Sequence, residues 1–202
     1  MSVQIDPTRD ALVIVDVQND FCPGGALGVA GGDAVVPVLN RYAERFAGAG
    51  APVFASRDWH PAKTTHFKAY GGVWPPHCVQ DTPGAEFHSA LAFPAGTEIV
   101  SKGMDPREDA YSCFQAETAD GMPFAAALGE RGVSRLFIGG LATDYCVKST
   151  VVDGVQNGFE MIVLADAVAA VDLTPGDGAK ALEEMRAAGA QLIRLIDLDY
   201  IP

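Results

Sequence analysis

The stretch Gly139-Gly140-Leu141-Ala142-Thr143-Asp144-Tyr145-Cys146-Val147-Lys148 decides the predicted fold, because the periodicity of the chain changes across it. The apolar run at residues 136–138 before it has the length and composition of a buried strand. After it, valines at positions 147, 151, 152 and 155 fall at the spacing of a helix face. The stretch is therefore predicted to be a tight turn from strand to helix, with Cys146 near the first helical turn.

A thiol at the start of a helix has unusual surroundings. The helix dipole and the free backbone N–H groups there favour thiolate over thiol, and the same N–H groups can hold an oxyanion. Thr143 and Asp144 are both good N-cap residue types for opening this helix. The position suits a nucleophile that attacks a carbonyl carbon, although most free cysteines are simply small buried hydrophobic residues.

Composition bounds the class of protein. The chain has 202 residues, is 49% hydrophobic and carries a formal charge of −12. We expect one domain, residues 1–202, and the negative charge argues against nucleic acid or an anionic membrane as a partner. The sequence shows neither a signal-peptide core nor a membrane-spanning run. The cysteines lack paired spacing, which predicts free thiols in a cytoplasmic protein; they are Cys22, Cys78, Cys113 and Cys146.

Strands and helices alternate along the chain. This pattern predicts a three-layer, doubly wound, six-stranded and mainly parallel α/β sheet with helices on both faces. The predicted strands are residues 11–17, 52–56, 97–100, 134–140, 161–167 and 191–196. The predicted helices are one capped by Asp33, one within residues 122–132, one after the central turn, and one from Thr174 to Gly189 with Asp177 in the capping-box position.

Three chemically active residues lie at or just beyond the ends of three different predicted strands. They are Asp16, Lys102 and Cys146. The carboxyl ends of parallel strands meet at one edge of the sheet, where ligands bind in such folds. Asp16 can take the thiol proton and return it to a leaving amine, and Lys102 can stabilise the thiolate. Taken singly, Asp16 can instead cap a loop and Lys102 can be a solvated strand end, so the prediction depends on their convergence.

A second cluster lies in the long aperiodic segment at residues 60–94. Asp58 and His60 are two residues apart, which places both side chains on one side of an extended segment. With His66 and His77 they form a carboxylate and imidazole set that suits zinc, iron or manganese. Cys78 adjoins His77 and would point the opposite way. The alternative is a loop that carries scattered surface histidines.

These residues together resemble the nicotinamidases, within the isochorismatase-like cysteine hydrolases. The resemblance spans residues 11–152, and the order of the later strands agrees with it. The matching segments are Ile14-Val15-Asp16-Val17-Gln18-Asn19-Asp20-Phe21, Asp58-Trp59-His60, Trp74-Pro75-Pro76-His77-Cys78, Lys102-Gly103, and Gly140-Leu141-Ala142-Thr143-Asp144-Tyr145-Cys146-Val147. The Asp, Lys and Cys set marks the broader family, and the D-x-H and W-P-P-H-C segments mark the nicotinamidases.

The resemblance implies an activity and its machinery. The activity is hydrolysis of nicotinamide, and of pyrazinamide, to the acid and ammonia through a cysteine thioester. Cys146 is then the nucleophile, Asp16 the proton carrier and Lys102 the supporting cation. The implied cofactor is one divalent metal ion, zinc before iron or manganese, which takes the pyridine nitrogen of the substrate and holds waters. Its implied ligands are Asp58, His60, His66 and His77.

The resemblance also implies a substrate pocket. A cis peptide between Leu141 and Ala142 would turn the amides of Ala142 and Cys146 toward the oxyanion. Phe21 and Trp74 are the implied aromatic walls around the ring, and Leu141, Ala142 and Tyr145 the further implied substrate contacts. Tyr145 stands where some relatives carry histidine.

Three other functions fit parts of the pattern. Another amidase or carbamoyl hydrolase of the same family would generally lack the metal set. A protein that binds a small ring without turnover would not need Asp16, Lys102 and Cys146 together. A purely structural metal site would be closed by four protein ligands. The sequence also leaves the oligomeric state open, and a homo-oligomer is compatible with it.

Overall fold

The sheet is the centre of the fold. The computed structural model of the chain describes residues 3–199. Within that range the sheet order is β4-β3-β2-β1-β5-β6-β7, and all neighbouring strands are parallel except β3 and β4. The strands are β1 Asp10–Val15, β2 Val53–Asp58, β3 Glu98–Lys102, β4 Glu117–Thr118, β5 Arg135–Leu141, β6 Glu160–Ala169 and β7 Gln191–Ile193. The predicted mainly parallel, doubly wound sheet is confirmed.

Helices cover both faces of this sheet, because side chains alternate along the buried strands. The helices are α1 Val35–Gly48, α2 Phe124–Glu130, α3 Lys148–Gln156 and α4 Asp177–Ala188. Leu12 and Ile14 of β1 face the core that contains α1. Val13 and Val15 face the second core, to which α2, α3 and α4 contribute buried side chains. The molecule therefore has the predicted three layers.

The number of strands differs from the prediction. The structure has seven strands in the described range, because Glu117–Thr118 forms an antiparallel edge strand against β3. A two-residue strand carries no periodicity, so the sequence pattern could not reveal it. The last strand is also shorter than predicted, since β7 ends at Ile193 and Leu195–Asp197 forms a 3-10 turn.

Helix starts are the least accurate part of the prediction. Asp33 lies in a 3-10 turn, Gly32–Ala34, and caps no helix with its side chain. Neither Thr143 nor Asp144 caps a helix; Thr143–Val147 forms a wide π-helical turn that leads into α3. The fourth helix begins at Asp177 rather than at Thr174. The Asp177 carboxylate nevertheless accepts a hydrogen bond from the Thr174 backbone N–H at 3.0 Å.

Strand register brings the predicted site together. Val15 pairs with Ser56 on one side and with Gly140 on the other, and Asp58 pairs with Lys102. The carboxyl ends of β1, β2, β3 and β5 are thus aligned at one edge. Gly140 has a φ of +126°, and a Cβ there would lie 2.1 Å from the Val15 carbonyl oxygen. A glycine is therefore required where β5 leaves the sheet beside β1.

In the part of the chain that the structure describes, none of the helices has the length and apolar character needed to cross a membrane. The four cysteines are free, and all four are buried.

Candidate active site

Three of the predicted residues meet in a buried cluster at the carboxyl edge of the sheet. Asp16 follows β1, Lys102 ends β3, and Cys146 lies in the turn after β5. The Lys102 Nζ is 2.9 Å from Asp16 Oδ2 and 3.6 Å from Cys146 Sγ. Asp16 and Lys102 are at most 1% exposed and Cys146 is 6% exposed. A carboxylate, an ammonium and a thiol that are distant in sequence therefore share one water-poor site.

The Asp16 carboxylate has one oxygen fixed and one available. Ser56, which pairs in register with Val15, donates its hydroxyl to Asp16 Oδ1 at 2.7 Å. Oδ2 is buried and accepts no aligned hydrogen bond from residues 3–199, although the Lys102 ammonium lies beside it. The reactive atoms of Asp16, Asp58 and Cys146 lie within 4.8 Å of one another. Oδ2 is therefore the oxygen best placed to take the proton of the Cys146 thiol.

Burial dominates the electrostatics of this cluster. It raises the pKa of the Cys146 thiol well above its ordinary value; Lys102 opposes the shift, and Asp16 and Asp58 add to it. Burial therefore opposes the helix start, which favours the thiolate, and supports a resting thiol whose proton Asp16 can take.

Different effects determine the pKa of the Asp16 carboxyl and that of the Lys102 ammonium. Burial also raises the pKa of the Asp16 carboxyl, against the effect of Lys102, and this makes Asp16 a stronger base. For Lys102, burial alone would lower the pKa, but the carboxylates of Asp16 and Asp58 outweigh it and the net pKa is raised well above the ordinary value. Lys102 therefore stays charged beside the reacting groups.

The structure brings the four predicted metal ligands together beside this trio. Ring nitrogens of His60, His66 and His77 lie within 4.8 Å of one another. Asp58 Oδ2 is 3.6 Å from His60 Nε2 and 3.9 Å from His77 Nε2. Its other oxygen, Oδ1, contacts the Lys102 ammonium. Asp58 thus joins the imidazole cluster to the catalytic candidates.

Backbone carbonyls and a carboxylate hold the outer nitrogens of the imidazoles. Nδ1 of His60 lies 3.0 Å from the Gly103 carbonyl oxygen, and Nδ1 of His77 lies 2.9 Å from that of Pro75. Nδ1 of His66 contacts the Asp109 carboxylate. Because a carbonyl only accepts, Nδ1 carries the proton in His60 and His77, which leaves Nε2 with its lone pair. This outer support is the arrangement found around metal-binding histidines.

Two further observations test whether the residues fit a metal ion. His60 Nε2 is buried and has no hydrogen-bond partner in residues 3–199, although such an atom needs one. Burial lowers the pKa of His77 to about 4 and also lowers that of His66, so both imidazoles are neutral as metal binding requires. Three imidazoles and a carboxylate fit a divalent zinc, iron or manganese ion. Cys78 is not part of this group.

A cavity of about 290 Å³ opens onto both clusters. Asp58, His66, His77 and Cys146 line it, whereas His60, Asp16 and Lys102 lie behind this lining. The predicted contacts Phe21, Trp74, Ala142 and Tyr145 also line it, and the remaining lining residues are Ala26, Leu27, Gly28, Val29, Ala110, Tyr111, Val171 and Leu173. The cavity is thus mainly apolar and aromatic, with the chemical groups at one wall.

Aromatic contacts fix the walls of this cavity. The Trp74 indole N–H donates to the Tyr111 hydroxyl at 2.8 Å, and the Trp74 and Tyr145 rings pack edge to face at 5.3 Å between centroids. The Phe21 ring lies 5.6 Å from the His77 imidazole. A flat apolar ring can therefore enter between rigid aromatic surfaces.

The side chain of one predicted substrate contact, Leu141, lies away from the cavity. The Leu141 side chain is fully buried in the core on the α1 side of the sheet, and Leu141 does not line the cavity. It is the last residue of β5, so its side chain faces the sheet packing rather than the open edge. The peptide between Leu141 and Ala142 is cis, as the resemblance implied.

Three residues of the site were missed from the sequence: Ser56, Asp109 and Tyr111. Ser56 had a usable signal, because it lies near the end of a predicted strand next to that of Asp16. Asp109 and Tyr111 lie in an aperiodic segment, 43 residues from His66 and 37 from Trp74 respectively. No local pattern relates such distant partners.

The chain is similar to known proteins over most of its length. The chain is 40% identical to a nicotinamidase of Escherichia coli (strain K12), over 93% of this chain and 95% of that protein. It is similar to the crystal structure of the pyrazinamidase of Pyrococcus horikoshii in complex with zinc, with 43% identity and a TM-score of 0.85 over 93% of this chain and 99% of that one. It is also similar to PnC1 from L. infantum in complex with nicotinate, with 34% identity and a TM-score of 0.88 over 98% and 99%.

A family description matches almost the whole chain. Residues 10–197 match the isochorismatase domain, a range that begins at the first residue of β1 and ends beyond β7. The chain belongs to the isochorismatase family.

Proposed function

We propose that this protein is a nicotinamidase, which hydrolyses nicotinamide to nicotinate and ammonia and also accepts pyrazinamide. The observation that carries the proposal is the convergence of Asp16, Lys102 and Cys146 beside the imidazole cluster, at one aromatic cavity. The similarity to a nicotinamidase and to a nicotinate complex supports the choice of substrate.

The first half of the proposed reaction acylates the cysteine. Asp16 Oδ2 accepts the proton of the Cys146 thiol as the sulfur attacks the amide carbon of nicotinamide. The backbone N–H groups of Ala142 and Cys146 hold the oxyanion. Asp16 then gives its proton to the departing nitrogen, so that ammonia leaves and a nicotinoyl thioester remains on Cys146.

The second half releases the acid. Asp16, again a carboxylate, takes a proton from a water molecule that attacks the thioester carbon. The carbon–sulfur bond breaks, the proton on Asp16 returns to Cys146, and nicotinic acid leaves and loses its carboxyl proton to solvent to become nicotinate. Lys102 stays charged throughout and keeps the changing charge on Asp16 and Cys146 compensated, since it contacts both.

Asp58, His60, His66 and His77 would hold one divalent metal ion. When bound, the ion supplies a Lewis acid for the pyridine nitrogen of the substrate and a site for water. Asp58, His66 and His77 line the cavity, so the ligand set faces the space where a substrate would bind. This exposure favours a substrate-facing metal over a purely structural one, and the presence of the set argues against a metal-free amidase of the same family.

The cavity supports a ring-shaped substrate. Its mainly apolar lining suits one face of a pyridine, and the aromatic side chains of Phe21, Trp74 and Tyr145 suit its π surface. The free, buried cysteines support a cytoplasmic location, where a nucleophilic thiol stays reduced.

Ammonia release tests the proposal. Purified protein with nicotinamide should release ammonia and nicotinate in equal amounts, and Cys146→Ala should abolish both. Removal of the metal by a chelator should weaken nicotinamide binding while the circular dichroism of the fold is retained. Full activity of Cys146→Ala would remove the nucleophile assignment, and unchanged kinetics after chelation would remove the metal assignment.

A further inference from the structure

The side chain of Asp144 has a role that the proposed chemistry does not use. Asp144 lies two residues before Cys146 in the π-helical turn, and it is only 9% exposed. Its Oδ1 accepts the backbone N–H of Val171 at 2.9 Å, and its Oδ2 accepts that of Asp172 at 3.0 Å. Both carboxylate oxygens are therefore used to hold two consecutive amides of one distant loop.

That loop forms part of the cavity wall. Val171 and Leu173, on either side of Asp172, both line the cavity that contains Cys146. Leu173 is 71% exposed, so packing against the core does not hold it in place. Val171 packs at the edge of the core that contains α1, and the rest of the loop is held by hydrogen bonds. The two bonds to Asp144 connect it directly to the turn that carries the nucleophile.

A second contact fixes the other side of the loop. Asp172 adopts a left-handed conformation with a φ of +53°, and its Oδ1 accepts the N–H of Gly178, in the first turn of α4, at 2.7 Å. A Cβ on Gly178 would lie 2.4 Å from the Ala170 Cβ, so the loop and the helix are closely packed here. Residues 171–173 are thus held between the nucleophile turn and α4.

We propose that Asp144 is a positioning residue that sets the specificity of the site for ring substituents. Its carboxylate holds residues 171–173 at a fixed distance from Cys146, so the Val171 and Leu173 side chains limit the width of the space beside the ring. The substrate in this inference rests on the proposed function. The position of the loop does not rest on the proposed function, because it follows from the hydrogen bonds and from the packing of Val171.

Asp144→Asn tests the inference with little change in size. An amide can replace only one of the two acceptors and presents N–H groups to the other backbone donor. We expect the Val171 and Asp172 amides to lose protection against hydrogen exchange by about tenfold or more, as the loss of a charged acceptor implies. With nicotinamide, KM should rise about tenfold with a much smaller change in kcat, and the preference for nicotinamide over ring-methylated nicotinamides should fall.

Asp166→Asn is a matched control. The Asp166 carboxylate also accepts a distant backbone N–H, that of Leu195 at 2.9 Å, but it lies outside the cavity lining. This variant should leave KM, kcat and the preference unchanged. If Asp144→Asn behaves like Asp166→Asn in exchange at Val171 and Asp172 and in substrate preference, the inference is wrong.

Two further variants cover a failure of Asp144→Asn to fold. Asp172→Asn keeps a residue type that accepts the left-handed conformation and weakens the bond to Gly178, so it should shift exchange and preference in the same direction by a smaller factor. Leu173→Ala truncates an exposed side chain, so it should reduce the preference for nicotinamide over ring-methylated nicotinamides without changing hydrogen exchange at Val171 and Asp172. If Asp172→Asn changes neither exchange nor substrate preference and Leu173→Ala leaves the preference unchanged, the inference is wrong.

If the wild-type protein did not hydrolyse nicotinamide, the proposed function would fail, while the exchange measurement would still decide whether Asp144 holds the loop.

Discussion

The two halves of the site are held in place by different means. Asp16, Lys102 and Cys146 lie at or just beyond the ends of β1, β3 and β5, where strand register fixes the backbone. The imidazoles and the cavity walls come from irregular segments, where individual hydrogen bonds fix the side chains, such as His66 to Asp109 and Trp74 to Tyr111. A change at a strand end should therefore remove chemistry, and a change in a loop should weaken binding by a graded amount.

The largest effect is expected at the nucleophile. Cys146→Ala should lower kcat for nicotinamide hydrolysis by about 10⁴-fold or more, because the other groups cannot act without a sulfur to acylate. Ammonia release measures this loss. Cys113→Ala is the control, since Cys113 is also buried but does not line the cavity, and it should keep kcat within about threefold at a cost in stability. A similar fall in kcat in both variants would mean that Cys146 is not the nucleophile.

Lys102→Met should be the most destabilising single change in the strand-end group. It leaves the buried carboxylates of Asp16 and Asp58 without their cation, which lowers the free energy of unfolding by about 3–5 kcal/mol. Lys148→Met removes the exposed pair with Glu184, at 3.1 Å, and should leave the free energy of unfolding almost unchanged because solvent screens this pair. Urea denaturation of both variants measures the difference. Equal midpoints would show that Lys102 does not stabilise the buried carboxylates.

The support of a loop-held ligand should have an intermediate effect. Asp109→Asn weakens the partner of His66 Nδ1, so zinc affinity should fall about 10- to 100-fold with the fold retained. Competition with a chromogenic chelator gives the affinity. Asp105→Asn, in the same segment but paired with the exposed Arg107, should leave zinc affinity unchanged. The same affinity in both variants would contradict the view that individual contacts hold this region.

The smallest effect is expected at the cavity wall. Trp74→Phe keeps an aromatic ring but loses the 2.8 Å hydrogen bond to the Tyr111 hydroxyl, so KM for nicotinamide should rise about fivefold with kcat nearly constant. Trp59→Phe is the control, because Trp59 stacks on Arg57 outside the cavity. A large fall in kcat for Trp74→Phe would place Trp74 in the chemistry rather than in the wall.

The same contrast explains what could be predicted from the sequence. The apolar run before Asp16 and the strand-to-helix turn at Cys146 have periodicities that identify a parallel sheet, and a parallel sheet brings strand ends together. Strand register then places Lys102 beside Asp58, which is a property of the whole sheet and does not depend on any one loop. The fold and the convergence of Asp16, Lys102 and Cys146 could therefore be predicted from the sequence pattern.

The remaining features depend on contacts without a local signal. Strand β4 has two residues and no alternation, and the partner of Asp144 is a pair of backbone amides 27 and 28 residues away. Asp144 was predicted as an N-cap type because capping is a local rule, whereas the structure uses its carboxylate for a distant loop. The raised pKa of Cys146 likewise follows from burial, which depends on the whole fold.

Rapid-quench mass spectrometry during turnover of nicotinamide shows directly whether Cys146 is acylated. We expect a nicotinoyl group on the peptide that contains Cys146, which forms before nicotinate is released and is absent in Cys146→Ala. Steady release of ammonia without any acyl group on Cys146, or with the group on another residue, would contradict it.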